Sequence, residues 1–414
     1  MAAGSSLTGS RRATRSRGKV ERLKRLIVVG AGPTGLVVAA QARARGLDVT
    51  VLERDAVGAS LSRWGRTRFF TPFEMNLPPD VRRLLGSGAP KPDRLLTGEE
   101  MVEEVLEPLA RHPLLGGCVH AGHRVVAIGR SGLTRGELAG HPLRAERPFR
   151  VVAVGPEGER HFEAENVLDA SGAGSPAHFG PGGLPAVGET EHAAGVHRHL
   201  GDLEAALPRL AGGRVLVTGH GHSAATAILR FAELASQLGS IRVTWAVRAG
   251  NRRPCMEVAG DPLSERQRIA SAANDLASSP PSWLSVERRV CIEKIARSGD
   301  EFVVVLSGGR QVRTDAVAAF TGYRPESDFL RELAIESGPA TEGTARLERA
   351  LANVTDCLTV PRVAAEDLET GEPGFFFAGA RSYGRSRAFL LRTGYAHLEA
   401  IFDRIVAPSG TVRV

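Results

Sequence analysis

Two stretches 189 residues apart each run from an apolar strand pattern through a glycine turn into an apolar helix pattern. In the first, LIVVGAGPTGLVVAA, residues Gly30, Gly32 and Gly35 are spaced G-x-G-x-x-G. In the second, RVLVTGHGHSAATAILRFAEL, residues Gly219, Gly221 and Ala224 keep that spacing with alanine last. A lone G-x-G-x-x-G carries little, but one that follows a strand and opens a helix has the context a pyrophosphate site requires. The first glycine makes the tight turn, the second lets phosphate approach the backbone, and the third lets helix and strand pack closely. Two such turns call for two doubly wound α/β units in one chain.

The surroundings of the two turns differ in charge. Pro33 and Thr34 open the first helix, where Pro33 presets the helical backbone angle and free N–H groups face an anion. The next strand, DVTVLE, ends in Glu53, placed to accept hydrogen bonds from a ribose, and Arg54 follows. In the second unit His222 and Ser223 open the helix, and the strand IRVTWAV ends in Arg248, with Arg252 and Arg253 close behind. Guanidinium groups at that place favour a 2′-phosphate through bidentate pairing, which points to NADPH over NADH. Two dinucleotide sites together imply a flavin and a nicotinamide held for hydride exchange, hence a redox enzyme.

Composition sets bounds. The chain has 414 residues, 42% of them apolar, enough for two or three packed domains, and no uncharged run long enough to span a bilayer. Its formal charge of +7 is accounted for by residues 1–25, where eight basic residues face Glu21 alone. A disordered basic tail is expected there, over a body with no basic excess to hold nucleic acid. Arg11 and Arg12 precede no apolar segment and make no export signal. The expectation is a cytoplasmic protein acting on a small molecule, with no nucleic-acid partner and no membrane insertion. The oligomeric state is open.

A second repetition follows each glycine turn. FRVVAVGPEGERHFEAENVLDASGAGSP reads as strand, turn, polar strand, apolar strand and small-residue turn. EFVVVLSGGRQVRTDAVAAFTGYRP repeats the order. A last segment, GFFFAGARSYGRSRAFLLRTGYAHLEAIF, reads as strand, Gly-Arg-rich turn and amphipathic helix without a fingerprint of its own. It is expected to complete the first domain, which is then discontinuous.

VVGAGPTG with Glu53, VLDASG (Asp169–Gly172), VTGHGHSAA, AFTGYRP and FFFAGARSYGR together resemble the two-dinucleotide-binding-domain flavoproteins of glutathione-reductase-like fold. The resemblance extends from Leu26 to Ile405 and is nearest to flavin-containing monooxygenase-like and thioredoxin-reductase-like bacterial flavoproteins. It implies FAD on a first domain made of residues 26–208 and 319–414, and NADPH on a domain of residues 209–318 inserted in it. It implies crossover segments at DASG, including Gly172, and at TGYRP, and a C-terminal FAD segment at FFFAGA. There the following helix would point its N-terminus at the flavin ring, stabilising the charge of the reduced state.

Departures from that pattern matter as much. Gly379 is followed by Ala380 and Arg381 where many members carry Asp, so FAD contacts shift to Arg381, Ser382 and backbone amides. The monooxygenase hallmark between the domains survives only as Gly188 and His192. The cysteines at 118, 255, 291 and 357 form no C-x-x-C, which removes a thioredoxin-reductase-type dithiol. Cys357 is the thiol with the best claim to a redox role. Trp64, Phe69 and Phe70 could stack on the flavin, line the substrate pocket or serve as core aromatics. His192, His197 and His199 cluster, but no cysteine or carboxylate set completes a metal site, and none is expected. Tyr383 and Arg385 are expected beside the flavin ring.

The candidate catalytic residues are thus His192, Cys357 and Tyr383. The leading expectation is a monooxygenase in which NADPH reduces FAD and an oxygen adduct at flavin C4a transfers one oxygen atom to a small organic substrate. The alternatives are direct reduction of a small disulfide or quinone without protein thiols, and a non-catalytic redox-sensing flavoprotein. An NADPH site argues against the sensor.

Overall fold

In the computed structural model, which describes residues 23–238 and 241–406, each glycine turn sits at the carboxyl edge of its own five-stranded parallel sheet. The first sheet starts with β1 (Arg25–Val29) and β2 (Asp48–Leu52), in register from Arg25↔Asp48 to Val29↔Leu52. The short β3 (Val119–His120) extends it beyond β2. An antiparallel meander of β4 (Arg124–Arg130), β5 (Phe149–Gly155) and β6 (Gly158–Ala164) follows, and β7 (Asn166–Asp169) returns beside β1. Leu26 to Val29 and all of β7 are buried, as strands covered on both faces must be.

The short strand β8 (Ser175–Pro176) leads out of this unit, and the second repeats its plan. β9 (Val196–His197), β10 (Arg214–Thr218), β11 (Arg242–Val247) and β12 (Leu284–Arg288) precede a meander of β13 (Ile292–Ser298), β14 (Glu301–Leu306) and β15 (Gln311–Thr314). β16 (Ala316–Ala319) then returns between β9 and β10. β17 (Tyr323–Arg324) leads back and pairs antiparallel with β8, so the two crossovers are tied to each other. Finally β18 (Phe375–Phe377) joins the first sheet beside β7. The sheet orders, β18-β7-β1-β2-β3 and β9-β16-β10-β11-β12, repeat four strands in the same order and differ in the edge strand, which comes last in the first sheet and first in the second. Each sheet packs its own apolar cluster, one around the helix Pro33–Ala44 and one around the helix His222–Leu238.

Three features differ from the sequence reading. The segment expected to be a tail ends earlier than residue 25: residues 1–22 lie outside the described residues, but Arg25 begins β1 and pairs with Glu165 at 2.8 Å. Lys24 Nζ donates to the Ile405 carbonyl at 2.9 Å. The second sheet takes β9 as its edge from before residue 209, and the helix Leu200–Leu210 buries Leu200, Leu203 and Leu210 in the second core. The C-terminal helix is broken. Gly384, at φ +57°, stops a single turn at Ala380–Tyr383, and the chain resumes helix only at Leu391–Ala396 and Leu398–Val406. Among the described residues no helix is long and apolar enough to cross a membrane.

Candidate dinucleotide cleft

One cavity of about 1150 Å³ borders both glycine turns. That exceeds the roughly 300–1,000 Å³ of a site for one small ligand. Its walls come from both units, which places whatever binds one turn within reach of whatever binds the other.

The two turns are built alike. Gly30 has φ +100°, and a Cβ there would meet the Ala170 carbonyl oxygen at 2.9 Å; Gly219 has φ +113°, and a Cβ would meet the Phe320 carbonyl oxygen at 2.2 Å. In each unit, therefore, the first glycine abuts the chain that returns from the meander, at DASG and at AFTG. Around Gly32 and Gly221 nothing lies within 4 Å of the Cβ position, and both border the cavity. That open space is where a phosphate can reach the backbone. A Cβ on Gly35 would fall 1.9 Å from the Gly30 carbonyl oxygen, whereas the matching Ala224 is simply buried. Trp245, fully buried, donates its indole N–H to the Gly219 carbonyl at 2.7 Å and fixes the second turn from below.

On the first side, Glu53 accepts from the Ala31 N–H at 2.7 Å and the Asp55 N–H at 2.9 Å, which locks its carboxylate at the turn. Pro33, Thr34, Arg54, Trp64 and Gly172 also line the cavity, although Arg54 is engaged by Glu326 at 2.8 Å. Gly379 lies against Thr34, and Ala380 lines the cavity beside it. Trp64 leans on Phe69 with ring centroids 5.0 Å apart.

On the second side, His222, Ser223 and Arg248 line the cavity. Arg248 is exposed and makes no hydrogen bond or ion pair with a described residue. Two histidines within the turn stay uncharged near neutral pH. Burial lowers His220, with Arg248 and Arg387 adding to the effect. Burial also lowers His222, and Arg266 and Arg387 outweigh Asp261 there.

Several expected residues are elsewhere. Arg381 does not face the cavity: it is fully buried, donates to Asp169 at 2.9 Å and to the Glu342 carbonyl at 2.8 Å, and lies over the Phe377 ring. Ser382 is buried and spends its hydroxyl on the Gly379 carbonyl. Tyr383 is packed behind the cleft, stacked on His397 at 5.8 Å and 4°. A four-residue helical turn lets only Ala380 reach the cavity, so the next three side chains face the core. Arg252 turns away to cap Ser278, donating to its carbonyl at 2.8 Å. His192 closes a turn onto Gly188 (N···O 3.0 Å) outside the cavity, its ring near Phe302.

Cys357 does line the cavity, and Arg266 Nη1 lies 3.2 Å from its Sγ. Burial nonetheless raises this thiol, and Asp356 outweighs part of what Arg266 gives back. Cys255 and Cys291, from two other segments, also line the cavity, and burial pushes Cys255 up to about 12. Cys255 and Cys357, both raised, are protonated at neutral pH and poor nucleophiles.

The sequence names Phe70, His199 and His222 in other roles, but not as residues that join the units. Phe70, from the first unit, meets His222 edge-on at 5.0 Å. Tyr323 stacks on His199 at 5.6 Å and donates to the Arg198 carbonyl at 3.2 Å. Arg266 bridges Asp261 of its own unit and Asp356 of the other. Only long-range contacts define these roles, so no local pattern announces them.

The sequence pattern of the pyridine nucleotide-disulphide oxidoreductase family matches residues 27–87. No curated protein matches the sequence significantly. Among solved structures, the bacillithiol disulfide reductase of Staphylococcus aureus superposes with TM-score 0.64 at 16% identity, covering 93% of this chain and 99% of that one. The FAD-bound cadaverine monooxygenase of Erwinia amylovora gives 0.63 at 15% identity, covering 94% and 95%. The ornithine N-hydroxylase of Kutzneria sp. 744, solved with reduced FAD, NADP+ and L-ornithine, gives 0.61 at 18%, covering 93% and 100%. With its duplicated sheets, its paired glycine turns and these likenesses over its length, the chain has the two-dinucleotide-binding-domain fold of the FAD/NAD(P) flavoproteins.

Proposed function

We propose that the chain is an NADPH-oxidising FAD enzyme that transfers one atom of dioxygen to a small organic substrate. The observation that carries the reading is the one cavity bordered by both glycine turns, which brings a dinucleotide on each within reach of the other. The residues fit the two groups. Open space at Gly32 and Gly221 admits pyrophosphate, Glu53 is fixed for a ribose, and Arg248, without a partner among the described residues, suits a 2′-phosphate. Bound FAD supplies a hydride acceptor that, once reduced, reacts with dioxygen.

The chain's own residues orient and enclose. Trp245 and Phe320 hold the second turn in shape, while Phe70 and His222 meet where the two units face each other. Trp64, Phe69, Phe70 and Phe320 give the cavity an apolar wall that keeps water from the reacting centre. Overall, NADPH, a proton and dioxygen are consumed; one oxygen atom enters the substrate and the other leaves as water. Oxygen is favoured over a protein thiol as acceptor because the chain has no C-x-x-C and burial keeps Cys255 and Cys357 protonated.

A second reading rests on the contact between Cys357 and Arg266: reduction of a small disulfide to two thiols at the expense of NADPH. One experiment separates the two. The FAD-loaded protein is reduced with NADPH without air, then offered either oxygenated buffer with candidate amines and sulfides or, still without air, disulfides and quinones. The proposal expects product carrying one atom from labelled dioxygen, and little NADPH oxidation without air. Fast anaerobic turnover with a disulfide or quinone overturns it.

A further inference from the structure

We propose that Arg387, carried by the C-terminal part of the first unit, reaches across the cleft and grips the phosphates of the nicotinamide dinucleotide on the second unit's glycine turn. The inference rests on the reading that NADPH occupies that turn.

Arg387 lies in the loop between the helical turn Ala380–Tyr383 and the helix Leu391–Ala396. The loop is firmly built. Arg385 N–H donates to the Thr341 carbonyl at 2.8 Å, Ser386 N–H donates to the Tyr383 carbonyl at 3.0 Å, and Ala388 N–H meets the Ser386 hydroxyl at 3.3 Å. Ala388 is buried, and the next ring, Phe389, packs on Tyr383 at 5.3 Å. Arg387 therefore projects from a fixed turn between anchored neighbours, is exposed and borders the cavity.

Most arginines of the cavity are already engaged. Arg54 pairs with Glu326, Arg253 with Glu257 and Asp275, Arg266 with Asp261 and Asp356, and Arg385 with Glu342. Arg248 and Arg387 have no acidic partner and no hydrogen bond among the described residues. Arg248 belongs to the second unit, at the end of β11. Arg387 comes from the other side, yet its charge acts on both His220 and His222, the two side chains that flank Gly221. A guanidinium without a partner among the described residues, two neutral imidazoles and the first residues of a 17-residue helix thus line the one cavity in which the open Gly221 backbone admits phosphate. An anion bridging Gly221 and Arg387 holds the two units together, so a phosphate contact from the first unit also draws the nicotinamide toward the flavin side.

The test is anaerobic reduction of the FAD-loaded protein over a range of NADPH concentrations, for the wild type and for R387A, R387K and R248A. R387A is expected to raise the NADPH concentration for half-maximal reduction about tenfold, the scale of one charge-assisted hydrogen bond. It is also expected to slow the limiting rate, to flatten the salt dependence, and to leave flavin content and melting temperature as in the wild type. R387K should recover part of the loss. If NADPH reduces the wild type and R248A weakens it, but R387A matches the wild type in half-saturation and limiting rate, the role of Arg387 is overturned. If NADPH fails to reduce the wild type at all, the underlying NADPH reading falls instead.

Discussion

Arg381 and Asp169, 212 residues apart in sequence and both without solvent exposure, form an ion pair at 2.9 Å that joins the end of β7 to the start of the C-terminal helical turn. Asp169 also accepts from the Ser171 N–H at 3.0 Å, so one carboxylate holds both the DASG crossover and the C-terminal segment of the first unit. Removing one member of a buried pair leaves the other charge uncompensated, at about 3–5 kcal/mol. R381M is therefore expected to lower the unfolding free energy by that order and to loosen flavin through the displaced crossover. Replacing both residues with apolar ones should recover part of the stability, as denaturant titration of the single and double variants would show.

The glycine turns predict an asymmetry. G35A places a Cβ 1.9 Å from the Gly30 carbonyl oxygen and should cost the first site its flavin. A224G, the reverse change in the second unit, should cost only about 1 kcal/mol of helix stability and leave NADPH reduction in place. G219A, which meets the Phe320 carbonyl oxygen at 2.2 Å, should abolish NADPH reduction while the protein still copurifies with flavin. Flavin absorbance and anaerobic reduction distinguish the three.

The proposed NADPH preference rests on Arg248. R248A should raise the NADPH requirement about tenfold or more while leaving that for NADH nearly unchanged, because only NADPH carries the 2′-phosphate. Equal losses for both nucleotides would assign Arg248 to the pyrophosphate instead.

His397 predicts an acid limit. Burial against Tyr383 lowers it to about 4 in the folded chain, below its unfolded value near 6.5. The unfolded chain therefore binds the proton first. Stability is intact above about pH 6.5, falls as pH drops toward 4, and by linkage loses up to about 3 kcal/mol. Unfolding free energies of H397F should be flatter over that window than those of the wild type.

The parts of the cleft that were legible in the sequence are those the backbone dictates. Gly30 and Gly219 are required by positive φ and a close carbonyl, so their spacing alone marks the turns, and the meander repeats because each sheet needs a returning strand. Side-chain direction after a turn is set by distant partners. Arg248 reaches the cleft while Arg252, four residues on, caps Ser278, and nothing in the strand pattern separates them. Arg381 goes to Asp169 because the helical turn at Ala380 is too short to present more than its first residue. Gly384 lies within the Gly-Arg-rich stretch that reads as a turn, and what the sequence did not announce is the single helical turn Ala380–Tyr383 ahead of it.

The most direct measurement is an anaerobic titration of the FAD-loaded protein with NADPH and, separately, with NADH. The expected result is that one equivalent of NADPH bleaches one equivalent of bound flavin, and that NADH does so only at concentrations about tenfold higher or more. A protein that retains no FAD, or whose flavin stays oxidised under excess NADPH, would contradict it.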